Sequence, residues 1–204
     1  MQNTLKQVAQ IGMLLATLLI HTAHATLIDR GNGMIYDSVQ DITWLQDANL
    51  AGTTMNWDDS VAWAAGLSVG GFDNWRLYNA DPNCSRFNCT GNELGHLFYN
   101  EFNLTARQSI STATGAGLVN LNLFTNVQSN SYWSGTEFAP RPTLAWSFTT
   151  TFGEQLDNNK NGTAYVWAVR DGDVAAVPAP GTLAILGLGL LGLVVRKGQG
   201  RQRR

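Results

Sequence analysis

Between Asp173 and Arg196 the chain carries no charge, and this one stretch removes the last thirty residues from any folded core. It runs through Val177-Pro178-Ala179-Pro180-Gly181, continues as thirteen apolar or Gly residues from Leu183 to Val195, and closes on five cations between Arg196 and Arg204. At about 1.5 Å per residue the apolar run reaches about 20 Å, short of a bilayer core of about 30 Å. Counted from Ala175, the uncharged length rises to about 31 Å, so the segment spans a membrane only at its limit. Pro178 and Pro180 break a helix at its outer end, and the cations hold the other end in the cytoplasm under the positive-inside rule. The body of the protein is thereby placed outside.

The N-terminus agrees. Lys6 precedes ten mostly apolar residues, Ile11 to Ile20, and then Ala23-His24-Ala25, a small-x-small site of the kind signal peptidase cuts. Residues 1–25 are therefore read as a signal peptide, 26–174 as the folded domain, and 175–204 as a sorting tail. The tail resembles the PEP-CTERM signal of Gram-negative bacteria that make exopolysaccharide, with Ala179 in place of the motif's Glu between Pro178 and Pro180. That resemblance implies processing by an exosortase, a membrane cysteine protease, after a transient stay at the inner membrane. It gives an address and no activity.

About 150 residues are enough for one domain with a substantial core. Of the 13 Lys and Arg, Lys6 and the five tail residues lie outside this span, which leaves seven against all 15 acids and a net charge near −8. Nothing basic remains to hold nucleic acid or an anionic membrane. Cys84 and Cys89, the only cysteines, lie in a turn-rich exported segment and are expected to form a disulfide that shapes one loop.

Asn56 is placed to cap a helix from Trp57 to Leu67, with Asp58 and Asp59 in its first turn and Trp57, Val61, Ala64 and Ala65 on one face. Thr90-Gly91-Asn92-Glu93 reads as a capping box before a second helix whose Leu94, Leu97, Phe98 and Phe102 form a buried stripe. Strands are expected at 34–36, 42–45, 75–77, 131–134, 144–148 and 165–170, the last three as an antiparallel meander with a turn over Asp157–Gly162. Residues 103–130 show no period and read as an irregular crossing.

The series Asp41-Ile-Thr-Trp44-Leu-Gln-Asp47, Gly71-Phe-Asp73-Asn-Trp75-Arg76-Leu77, Tyr132-Trp133-Ser134-Gly-Thr-Glu137 and Tyr165-Val-Trp-Ala-Val-Arg170 resembles the DUF1566 family, also named for the C-terminal domain of the Legionella collagen-like protein. The match runs from about Asp37 to Asp173. The family's Trp-Arg-Leu-Pro-Thr becomes Trp75-Arg76-Leu77-Tyr78-Asn79 here, so the Pro that would set the next turn is missing. The resemblance implies an α+β, C-type-lectin-like domain with two helices and a mixed, largely antiparallel sheet. It implies sugar binding only loosely.

Trp133 is the candidate aromatic platform for a sugar, with Glu137 and Arg141 in the same hairpin to bond its hydroxyls; the plainer alternative is that these two charges solvate a turn. Asp157-Asn158-Asn159-Lys160-Asn161-Gly162 matches the first half of a calcium loop, but the twelfth position is Ala168 rather than Glu. Asn-Gly also makes turns, so Asp157, Asn159 and Asn161 are read first as a turn and only second as a cation set. Once the signal is removed His96 is the sole histidine, which leaves no Ser-His-Asp set to assemble without it. Paired acids, Asp58 with Asp59 or Glu93 with Glu101, keep a glycosidase open. The expectation is an exported surface protein that binds exopolysaccharide without a cofactor, against two alternatives: a purely structural surface protein and a polysaccharide-active enzyme.

Overall fold

The Asn32-Gly33 dipeptide sets the first element of the fold. Both residues have positive φ, 54° and 78°, the conformation of a two-residue type I′ hairpin turn. They join β1 (Leu27–Gly31) to β2 (Met34–Asp37), with Leu27 opposite Asp37 and Gly31 opposite Met34. A computed structural model describes residues 26–174. The expected cleavage site, Ala23 and Ala25, and the sorting motif, Pro178, Ala179 and Pro180, lie outside the described residues.

Beyond β2 the chain forms β3 (Ile42–Leu45), α1 (Trp57–Ala65), β4 (Arg76–Leu77), β5 (Arg86–Phe87) and α2 (Glu93–His96), which runs on as a π-helical turn over Leu97–Glu101. A 3-10 turn at Ile110–Thr112 and α3 (Gly115–Leu121) follow, then β6 (Ser131–Glu137), β7 (Leu144–Thr149), β8 (Glu154–Asn159) and β9 (Ala168–Asp171). The strands make two sheets, in the orders β1-β2-β3-β9-β4 and β5-β8-β7-β6. Every strand pair is antiparallel. The sheet expected to be mixed is therefore two antiparallel sheets, and among the described residues parallel pairing is confined to the single bridges Asp47–Thr125 and Tyr132–Tyr165. No helix among the described residues is long and apolar enough to cross a membrane.

The α1 start follows its sequence signal: the Asn56 side chain accepts from the Asp59 N–H at 2.9 Å. Its buried face is Trp57, Ser60 and Ala64, while Val61, expected inside, is 37 % exposed. The capping box of α2 does not form. Asn92 is the cap, accepting from the Gly95 N–H at 2.9 Å. Glu93 is drawn instead to Arg76, which donates to both carboxylate oxygens at 2.9 Å, and to the Asn79 N–H at 2.7 Å. These contacts fix the loop after Leu77 without the missing Pro, and Tyr78 is fully buried there, its hydroxyl donating to the Tyr132 carbonyl at 2.7 Å.

Residues 103–130 hold a third helix, α3. It escapes a periodicity search because its one buried residue is Gly117, where a Cβ would stand 2.0 Å from the Phe102 carbonyl oxygen. The expected 165–170 strand is shorter and belongs to the other sheet, as β9 beside β3 and β4. The third strand of the meander is β8, so Asp157–Asn159 are extended, and the turn starts at Lys160.

Trp167 ties the two sheets together. Its ring packs 5.1 Å from Trp44, 5.1 Å from Phe124 and 5.7 Å from Tyr132, centroid to centroid, and its indole N–H donates to the Leu45 carbonyl at 2.8 Å. The stripe Leu94, Leu97, Phe98 and Phe102 is fully buried as its spacing predicts. Cys84 and Cys89 are bonded, with Cα atoms 5.5 Å apart. Gln155 of β8 wires the disulfide loop to the sheet, donating to the Asp81 and Cys84 carbonyls at 2.7 and 2.5 Å and accepting from Asn92 at 2.6 Å.

Candidate functional site

An open cleft of about 300 Å³ lies beside β6 and β8, lined by Asn130, Ser131, Trp133, Asn158, Asn159 and the Gly162–Ala164 segment. Strand register builds one side. Trp133 lies opposite Ser147, Ser147 opposite Leu156, and Asn158 two residues on shares their face. The Asn158 amide donates to Ser147 Oγ at 2.6 Å, which locks its orientation.

The other wall is the chain returning from the Lys160–Gly162 turn. Met55 and Ala164 exchange backbone hydrogen bonds at 3.0 and 3.1 Å, and the Trp133 N–H donates to the Tyr165 carbonyl at 2.9 Å. This wall is fastened to the β6 edge on one side and to the segment before α1 on the other.

Trp133 does not form the exposed platform expected of it. It is 1 % exposed, and its indole N–H donates to the Met55 carbonyl at 3.0 Å. The chain around Met55 and Ala164 covers the ring, so Trp133 belongs to the core beneath the cleft. Its expected partners lie elsewhere. Lys160 pairs with Glu137 at 2.5 Å and sits 4.1 Å from the Trp57 ring centroid. Arg141 pairs with Asp157 at 3.6 Å and packs over Phe138. The β6–β7 register shifts between Trp133 and Glu137, and neither Glu137 nor Arg141 lines the cleft.

Asp157, Asn159 and Asn161 are not gathered around a common point. Asp157 faces Arg141, and Asn159 Oδ1 accepts from the Asn161 N–H at 2.9 Å in an Asx turn. Among the described residues no cluster of three or more His, Cys, Asp or Glu is arranged to hold a metal.

His96 and Glu101 are buried at the start and end of the π-helical turn, 3.5 Å apart. Burial opposes ionisation of Glu101, but the facing His96 and the hydrogen bond from the Thr26 hydroxyl outweigh it and hold the carboxyl below its usual range. His96 Nδ1 is 3.0 Å from the Asn100 amide. Neither residue lines the cleft.

The cleft was invisible to sequence reasoning, because Asn130–Trp133 and Asn158–Ala164 meet only through the β6-β7-β8 register. The density of Asn, Ser and Thr in both segments was the one available signal.

Two family models match. Residues 176–199 match the PEP-CTERM protein-sorting motif, which implies exosortase-dependent processing and export to the cell surface. No curated protein matches the chain. The cleft, α1 to α3 and the core around Trp167 fall within residues 33–170, which match the Lcl C-terminal domain, and on that match the chain belongs to the Lcl C-terminal domain family.

Proposed function

We propose that this is a cell-surface protein whose domain binds polysaccharide, delivered by signal peptidase at one end and an exosortase at the other. The observation that carries the binding reading is the cleft beside β6 and β8: a preformed concavity with a rim of amides and hydroxyls. Its volume lies at the low end of the ligand-cleft range of about 300–1,000 Å³, which suits one or two sugar units. A C-type-lectin-like ancestry is part of the same reading and is supported by the α+β build with two antiparallel sheets.

Binding proceeds without turnover. The buried His96–Glu101 pair lies away from the cleft, and the cleft itself is lined by no group that titrates near neutral pH. Before processing, the tail holds the domain at the inner membrane; after it, the domain meets the exopolysaccharide outside.

The test is retention of the mature exported protein on exopolysaccharide extracted from the producing cells. Saturable retention, with an N-terminus at Thr26 and no peptide from 183–204 by mass spectrometry, is expected. Absence of retention together with an intact tail overturns the proposal.

A further inference from the structure

Three asparagines line the cleft, and each has one end of its amide tied to the protein. Asn158 donates through Nδ2 to Ser147 at 2.6 Å, Asn159 accepts through Oδ1 from Asn161 at 2.9 Å, and Asn130 accepts through Oδ1 from the Ser131 N–H at 2.8 Å. Among the described residues nothing bonds the other ends: the Asn158 carbonyl and the Asn159 and Asn130 NH₂ groups. Ser131 Oγ and Thr163 Oγ1 likewise hold no protein partner among the described residues. We infer that this cleft reads an uncharged sugar unit and discriminates against polyanionic polysaccharide. The inference rests on the polysaccharide-binding reading and narrows it to one ligand class and one set of residues.

The chemistry of the rim selects the ligand. A sugar hydroxyl donates and accepts at once, and the rim offers a fixed acceptor at Asn158, fixed donors at Asn159 and Asn130, and two hydroxyls that do either. With one end of each amide held, little side-chain freedom is lost on binding. Trp133 lies beneath the cleft as part of the core, with its N–H engaged by Met55, and offers the ligand no donor.

Charge excludes the alternative. A carboxylate or sulfate entering the cleft gives up hydration, and no Lys or Arg lines the cleft to replace it. Of the cations near it in sequence, Lys160 and Arg141 are already paired with Glu137 and Asp157, and Arg170 is held by Asn74 and the Asp173 carbonyl. The net charge of residues 26–174, near −8 from seven cations and 15 acids, repels a polyanion over a distance of about 10 Å at 0.1 M salt.

The experiment is affinity electrophoresis of the mature exported protein in gels containing dextran, galactomannan or xyloglucan as neutral probes, and alginate or dextran sulfate as anionic ones. Retardation by at least one neutral probe and by neither anionic probe is expected. Thr163→Val, at an exposed position, is expected to leave the melting temperature unchanged, and Asn159→Ala, which also gives up the bond from the Asn161 N–H, to lower it by a few degrees only; each is expected to weaken that retardation about tenfold, as loss of one ligand hydrogen bond does. Asn158→Ala is expected to abolish it. Retardation by the anionic probes alone overturns this inference and leaves polysaccharide binding standing. No retardation by any probe overturns this inference, while retention on the extracted exopolysaccharide decides the polysaccharide-binding reading separately. Neutral binding that survives Asn159→Ala and Thr163→Val overturns the assignment to this cleft.

Discussion

Trp133→Ala separates a core residue from a platform. The side chain is 1 % exposed, so truncation empties an indole-sized space that the fastened backbone of Met55, Ala164 and Tyr165 cannot close. Large-to-small changes of buried aromatics cost about 3–5 kcal/mol. Loss of the indole N–H adds little, because the Met55 carbonyl keeps its second bond, from the Ala164 N–H at 3.1 Å. Against a total stability of about 5–15 kcal/mol, and with about 2–4 °C lost per kcal/mol in a domain this size, the melting temperature is expected to fall by about 6–20 °C. Trp133→Phe keeps most of the volume and is expected to lose less than half as much. Thermal unfolding of the mature protein followed by near-ultraviolet circular dichroism is the assay, since seven tryptophans report on packing. A Trp133→Ala protein that melts within two or three degrees of wild type would refute the reasoning. It would place the ring in solvent, and loss of glycan retention alongside would restore it as a stacking surface.

Glu93→Ala leaves Arg76, itself largely covered, facing only Asp171, and frees the Asn79 N–H; a loss of about 2–4 kcal/mol is expected in urea unfolding, with the m-value unchanged. Replacing Cys84 and Cys89 together by Ser opens a loop with a sequence separation of 5 and is expected to cost about 2 kcal/mol, with the fold kept because Gln155 still holds that loop from β8. Non-reducing peptide mapping of the wild type checks the bridge itself. Glu101 has a lowered carboxyl pKa, so its contribution is fully present above the unfolded value of about 4.3 and fades as pH falls through the lower folded value. Glu101→Gln is accordingly expected to melt below wild type at neutral pH, with the two curves converging in stronger acid; a constant gap across that range contradicts the assignment. Burial raises the Tyr78 and Tyr132 hydroxyls, so both stay protonated as pH passes the ordinary phenol range of about 10, and alkaline ultraviolet titration of the five tyrosines is expected to show the two ionising only as the fold is lost.

What the chain determines by itself is whatever is encoded within a few residues. The uncharged tail, the Asn56 cap, the fully buried Leu94-Leu97-Phe98-Phe102 stripe, β2 and β3, the β6–β7 hairpin and the Cys84–Cys89 bridge all follow from spacing or from one local contact. The β1–β2 hairpin was equally legible in Asn32-Gly33, and only the short polar-patterned strand before it concealed it. Tertiary structure decided the rest. Glu93 could satisfy a helix start or a guanidinium, and Arg76, brought from β4, offered two charge-assisted bonds where the capping box offered one weaker contact. α3 has no apolar period because its buried contact is a backbone laid against backbone at Gly117. Which face of β6 carries Trp133 is fixed by alternation, but whether that face meets water depends on Met55 and Ala164, 78 residues before it and 31 after it in sequence. Burial is a property of what covers a side chain, and the cleft exists only where that cover stops short of Asn130, Asn158 and Thr163.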